Sequence, residues 1–210
     1  ILTKIIVYLK IANHVFASRI RVSLRPSRDE IIEVISGKYF VGNGITNFLD
    51  EDFSLWLLNP EIEDKSSTLF CDLCEKLTNY DFSKIDEDIF REIYEDIVER
   101  KERHQSGEYY TPEWLVQLIL NEVLALWEGK KGCVIPKILD PACGSGIFLY
   151  RAIRYFTEKG VYLKDIIKNV AGIDINPIAT IIAKANYLIA INGLIEDAEK
   201  ITIPIYTKDS

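Results

Sequence analysis

Across residues 86–101 the apolar side chains Ile89, Phe90, Ile93, Tyr94, Ile97 and Val98 return every three or four positions while acids occupy the opposite face. That spacing predicts an amphipathic helix. Earlier, Ser27 and Glu30 stand at capping-box spacing ahead of Ile31, Ile32, Val34 and Ile35, and Gly37 supplies a stop, which predicts a short helix. Residues 41–46, with Gly42, Asn43 and Gly44, read as a turn. The stretch 1–104 is therefore expected to be a mostly α-helical region.

After Gly107 the pattern alternates helix with short buried strand. Thr111 is placed to cap a helix that has Pro112 in its first position, continues through Leu115, Leu118, Ile119 and Val123, and stops at Gly129. Apolar runs at 134–140, 169–175 and 201–206 predict strands, separated by helices over 145–159 and 177–193. Strands rich in Ile and Val without strict alternation imply a parallel sheet covered on both faces. Residues 105–210 are thus expected to form an α/β domain of doubly wound, Rossmann-like type, in the form of a partial parallel sheet.

Composition adds limits. The 210 residues are 48% hydrophobic and 27% charged, ordinary for a globular chain, and contain no methionine even at position 1, so the chain is read as part of a longer protein. The net charge of −7 falls mainly on residues 1–105, with 14 basic and 20 acidic side chains against 11 and 12 in the remainder. An acidic chain does not grip phosphates over its whole surface. The apolar opening of the chain is broken by Lys4, Lys10 and His14, too early for a membrane span. Cys71, Cys74, Cys133 and Cys143 are too sparse for a disulfide scaffold, and a cytoplasmic setting is expected. Cys71-Asp72-Leu73-Cys74 has no second pair nearby and reads as two thiols, with no metal site expected. Trp56, Trp114 and Trp127 lie in apolar runs and are expected in the core.

Open α/β sheets bind ligands beyond the carboxyl ends of their strands, so the residues after each strand carry the chemistry. The first strand runs into Asp140-Pro141-Ala142-Cys143-Gly144-Ser145-Gly146, and the second into Gly172-Ile173-Asp174-Ile175-Asn176-Pro177. Gly144 and Gly146 permit a tight turn and close approach of a ligand at a helix N-terminus. A dinucleotide fingerprint needs a third glycine where Leu149 stands, and no Lys-Ser or Lys-Thr pair completes a P-loop. Asp140 at the head of the loop disfavours a pyrophosphate and favours an ammonium or a sulfonium, the charges of S-adenosylmethionine. Asp174 is placed to take a ribose diol, Ile175 to wall an adenine ring, and Asp209 to accept from an adenine amine.

Gly107-Glu108-Tyr109-Tyr110-Thr111-Pro112, the loop from Asp140 to Gly146, the segment Gly172 to Pro177 and the terminal Tyr206 to Ser210 resemble, in that order, motifs X, I, II and III of gamma-class N6-adenine DNA methyltransferases of restriction-modification systems. The lead-in before Gly107 is similar to that of type IIG proteins and type I modification subunits. The resemblance implies a class I S-adenosylmethionine-dependent methyltransferase fold. It also implies that Tyr109 and Thr111 contact the methionine carboxylate, Asp140 the ammonium, and Ala142, Cys143, Gly144 and Gly146 the same pocket, while Asp174, Ile175 and Asp209 keep the roles above. Double-stranded DNA, together with a specificity subunit or a fused recognition or nuclease domain, is the implied partner set, through regions downstream.

The family's Asn/Asp-Pro-Pro-Tyr/Phe motif, which holds the flipped base, is absent: Asn59-Pro60 precedes Glu61 and Asn176-Pro177 precedes Ile178. No catalytic residue is assigned, and the fragment alone is expected to be inactive. Two rivals stand beside this reading. A class I methyltransferase acting on RNA guanine or protein glutamine would share the glycine loop but lack the upstream Tyr-Tyr-Thr-Pro. A non-enzymatic module would use the acidic helices to dock a partner.

Overall fold

A computed structural model describes residues 3–8, 26–48, 55–77, 111–128, 135–195 and 200–209. The expected helix at 86–101 and the expected boundary at 104/105 lie outside the described residues. Two compact units result, one from Ile1–Asp86 with Ile195–Ile203, the other from Glu87–Leu194 with Pro204–Ser210.

The first unit is built on helices α1 (Arg28–Ser36), α2 (Lys38–Gly42) and α3 (Glu63–Leu77), with a helical turn at residues 3–8 and a 3-10 turn at Leu55–Leu58. The capping box forms as its spacing predicts: the Glu30 N–H donates to the Ser27 hydroxyl at 3.2 Å and the Ser27 N–H to the Glu30 carboxylate at 2.9 Å. Gly37, at φ 81°, ends α1 in the left-handed conformation that a Cβ disfavours. The buried Lys4 ammonium donates to the Ile35 carbonyl at 2.6 Å, placing a cation at the negative end of the helix. Residues 38–42 are helical rather than part of the turn, which is confined to Asn43 and Gly44.

Helix α3 escaped the apolar pattern because its buried stripe is Ser66, Phe70 and Cys74, only one of them large and apolar. The two thiols of Cys-x-x-Cys part company on it. Cys74 is buried, its pKa pushed up to about 12 by desolvation and then by Cys71, whereas Cys71 is half-buried with its sulfur 4.0 Å from the Pro26 carbonyl. Among the described residues no group of three or more His, Cys, Asp and Glu is arranged to hold a metal.

The second unit runs α4 (Glu113–Glu128), β1 (Ile138–Asp140), α5 (Ile147–Glu158), α6 (Leu163–Asn169), β2 (Val170–Asp174), α7 (Pro177–Ile191) and β3 (Ile205–Thr207). The strands form a parallel sheet in the order β1-β2-β3, with Asp140 beside Gly172 and Asp174 beside Thr207. The third strand is shorter than the apolar run suggested. Ile201 instead bridges to Ile45 in the first unit, and Pro204, lacking an N–H, precedes β3 while its carbonyl accepts from Gly172 at 2.9 Å.

One expectation is corrected here. Successive strands laid side by side in one direction, joined by right-handed crossovers, put both connecting helices on the same face. Accordingly α5 and α7 pack on each other and on β2, burying Val170, Gly172 and Ile205. Alternation sends Leu139, Ala171, Ile173 and Tyr206 to the other face, where Leu139 is 59% and Tyr206 46% exposed. Among the described residues the helices that pack on the sheet lie on one face.

A second correction concerns the tryptophans. Trp56 and Trp114 are 64% and 67% exposed, because each sits on the outward side of a helical turn whose inward positions, Leu57 and Val116, fill the core. Among the described residues no helix is long and apolar enough to cross a membrane.

Candidate functional site

The site is fixed by where β1 and β2 end. Asp140 pairs in register with Gly172, and Asp174 lies two residues further along β2, so strand alternation sends both carboxylates to the helix-covered side at the carboxyl edge. The glycine loop from Cys143 to Gly146 hangs between β2 and α7. The Cys143 N–H donates to the Ile173 carbonyl at 2.9 Å, and the Gly144 N–H donates to Asp174 Oδ2 at 2.7 Å. The Gly146 N–H closes the turn on the Cys143 carbonyl at 2.7 Å.

Gly144 and Gly146 have φ of 52° and 82°, values that explain glycine at both places. A Cβ on Gly146 would also lie 3.1 Å from that of Ala183, so the loop rests directly on α7. Beneath it Gly172 leaves room for Cys143 and Leu149: a Cβ there would come within 3.1 Å of the sulfur and 2.6 Å of Leu149 Cδ1. The loop, β2 and α5 are therefore packed at close quarters, and the position of the loop over the sheet is set.

Each acid does local work and keeps capacity for a ligand. Asp174 Oδ1 accepts from the Asn176 N–H at 2.8 Å and Oδ2 from Gly144. A carboxylate has about four acceptor directions, so one remains on each oxygen, the requirement for a bidentate diol. Asp140 Oδ1 accepts from the Ala142 N–H at 3.2 Å. The Asp140 pKa is raised, first by burial and further by the charge of Asp174, against the lowering effect of that N–H. Two like charges at one edge repel, and a cation between them relieves both.

Cys143 is buried, and desolvation, followed by the charges of Asp140 and Asp174, pushes its thiol pKa far up. In the thiol form it presents a small, weakly polar surface. Ala142 is exposed beside it, and Ile175 is 69% exposed just past β2, an apolar side chain at the rim of the site. Asp209 is exposed two residues beyond β3, next to Lys208, whose N–H donates to the Asp174 carbonyl at 2.9 Å. Thr111 stands two residues ahead of α4, which is joined to α5 by the Glu113–Arg151 ion pair. Tyr109 lies outside the described residues.

Three contributors were not singled out from the sequence. Gly172 makes room under the loop, Ala183 supports Gly146, and Asn186 donates from Nδ2 to the Ser145 carbonyl at 2.9 Å. The legible signal was the single amide in the apolar run of α7, since a polar side chain in such a helix needs a partner.

A glycine loop and two acids at the carboxyl edge of a parallel sheet stand where open α/β sheets commonly bind ligands. The chain belongs to the N-6 DNA Methylase family, whose family model matches residues 85–209. It is 29% identical over 170 residues to the type I restriction enzyme MjaVII methylase subunit of Methanocaldococcus jannaschii, covering 78% of this chain and 27% of that protein. The type I restriction enzyme EcoEI methylase subunit of Escherichia coli is 33% identical over 99 residues, 46% of this chain and 19% of the relative. The MjaIX methylase subunit of M. jannaschii is 32% identical over 105 residues, 49% of this chain and 17% of the relative. The alignments thus take in about a quarter or less of these relatives' lengths. No solved structure matches the chain.

Proposed function

We propose that this chain is the S-adenosylmethionine-binding part of a site-specific DNA adenine-N6 methyltransferase of a restriction-modification system, with the class I methyltransferase fold. The observation that carries the reading is the convergence of Asp140 and Asp174 on one side of the sheet around a glycine loop, with acceptor capacity left on Asp174. The donor set suits the cofactor: a diol for Asp174, an ammonium for Asp140, and an adenine ring against the exposed Ile175.

When bound, S-adenosylmethionine supplies an electrophilic methyl group on a sulfonium. Asp140 would hold the ammonium end and offset cationic charge, and Tyr109 and Thr111 would take the methionine carboxylate. Ala142, Cys143, Gly144 and Gly146 form the wall and floor on that side, with the Cys143 thiol kept protonated so that it does not compete for the methyl group. Asp174 orients the ribose and Asp209 accepts from the adenine amine.

The relatives' names support a methylase subunit that works with others, and we infer double-stranded DNA as substrate and a specificity subunit or fused recognition domain as partner. The 210 residues carry no Asn/Asp-Pro-Pro-Tyr/Phe. Alone they are expected to bind cofactor without turnover, and methylation of DNA by this segment in isolation would refute that.

Calorimetry with S-adenosylmethionine tests the reading. The wild type is expected to bind, and Asp174→Ala to lose affinity by about a hundredfold, because a bidentate ligand contact and the partner of the Gly144 N–H go together. A folded wild type that gives no heat with the cofactor would point instead to a partner-docking module.

A further inference from the structure

Helix α7 is the back wall of the glycine loop, and the Asn186 side chain reaches that loop from it. Asn186 is fully buried, with 0% of its surface exposed, and its Nδ2 donates to the Ser145 carbonyl at 2.9 Å. Three residues earlier, and so on the same side of the helix, Ala183 supports Gly146. The loop is thus held from two sides: β2 takes the N–H groups of Cys143 and Gly144, and α7 takes the carbonyl of Ser145.

Capture of that carbonyl has a geometric result. In a trans peptide the C=O and the following N–H point in opposite directions within one rigid plane. Turning the Ser145 carbonyl toward Asn186 therefore turns the Gly146 N–H away from α7, where it meets the Cys143 carbonyl at 2.7 Å. This plane immediately precedes α5, whose N-cap Gly146 has no capping side chain. The first-turn N–H groups of α5 take their aim from it.

We propose that Asn186 is a positioning residue for ligand binding. Its amide sets the Ser145–Gly146 peptide plane and so directs the α5 N-terminus at the zwitterionic amino-acid end of the cofactor. The inference rests on S-adenosylmethionine being the ligand. It divides the site in two: Asp174 and Ile175 serve the nucleoside, and the loop held by Asn186 serves the amino-acid tail. An amide is required, because a carboxylate would oppose the carbonyl and an apolar side chain would remove the Nδ2 donor.

Asn186→Leu, which keeps the volume without the donor, and Asn186→Ala are measured in the full-length protein by calorimetry with two ligands. One is S-adenosylmethionine, the other 5′-methylthioadenosine, which has the nucleoside and the sulfur but no amino-acid tail. Affinity for S-adenosylmethionine is expected to fall about tenfold or more, and affinity for methylthioadenosine to stay within about twofold of wild type. A purely structural role would lower both together. Equal losses for the two ligands, or unchanged S-adenosylmethionine binding in a variant that melts as a folded protein, overturn the proposal. Failure of both variants to fold assigns Asn186 to the fold and overturns it as well. A wild type that binds neither ligand removes the cofactor reading itself, a result distinct from wild-type binding that Asn186 does not affect.

Discussion

Two glycine turns of this chain share a backbone conformation and differ in the charged groups gathered beside them. Gly37, at φ 81°, closes α1 in the first unit, and Gly146, at φ 82°, opens α5 in the second. Around Gly37 the polar groups are consumed locally: its N–H donates to the Val34 carbonyl at 3.3 Å and Lys4 takes the Ile35 carbonyl. Around Gly146 two carboxylates converge at a sheet edge, one with its pKa raised, and both keep acceptor directions to offer. A left-handed glycine reports only a backbone requirement; the charges gathered beside it set the two turns apart.

The largest expected contrast comes from giving each glycine a side chain. Gly146→Ala meets both a left-handed φ and a Cβ 3.1 Å from that of Ala183, which belongs to a packed helix and cannot yield cheaply. S-adenosylmethionine affinity is expected to fall more than about thirtyfold, from conformational strain of roughly 1–2 kcal/mol with the contact added. Gly37→Ala carries similar backbone strain and is expected to lower the melting temperature while leaving the dissociation constant within about twofold. Calorimetry and thermal unfolding on both variants decide it. Equal effects on binding would mean that the two turns do not differ as described.

A smaller effect separates the loop's charge from its shape. The raised Asp140 pKa, caused chiefly by burial, means that ionising this group costs the unliganded fold stability, a cost present above its folded pKa and absent below its unfolded one. A cationic ligand prefers the ionised form. Cofactor affinity is therefore expected to rise with pH through a window above the ordinary aspartate value of about 4, by at most about tenfold per pH unit, and to level off once Asp140 is ionised. Asp140→Asn should bind more weakly and lose that slope. Titration calorimetry at a series of pH values reads both, and an unchanged slope in the variant would remove Asp140 from the site.

The same contrast explains what the sequence made legible. Ser27, Glu30 and Gly37 act within a few residues of one another, and that helix appears where the spacing puts it. Asp140 and Asp174 were readable because strand ends carry sheet chemistry, and the parallel register follows from the helix between them. The partners of the loop were hidden, since Gly172, Ala183 and Asn186 lie 23 to 41 residues away from the atoms they serve and only packing brings them together. The exposed second face of the sheet was hidden for a different reason: strand composition reflects the surroundings of the whole fold, and Leu139 and Tyr206 are apolar although nothing among the described residues covers them. Helix α3 was missed because Ser66 and Cys74 fill positions where a periodic reading looks for large apolar side chains.

The smallest effect tests whether the first unit influences the loop at all. Ser27→Ala removes the hydroxyl that accepts from the Glu30 N–H and leaves the reciprocal contact from Glu30 to the Ser27 N–H in place. Loss of half a capping box at an exposed helix start costs about 1 kcal/mol. The cost falls on the first unit, where α1 buries Ile31, Val34 and Ile35. The expected outcome is a small drop in the denaturant midpoint measured by circular dichroism, with cofactor affinity unchanged within about twofold, since effects at sites without shared partners add. A loss of affinity comparable to that of Gly146→Ala, from a substitution that touches none of the loop's hydrogen bonds, would show that the conformation of α1 is transmitted to the loop and that the two turns cannot be treated separately.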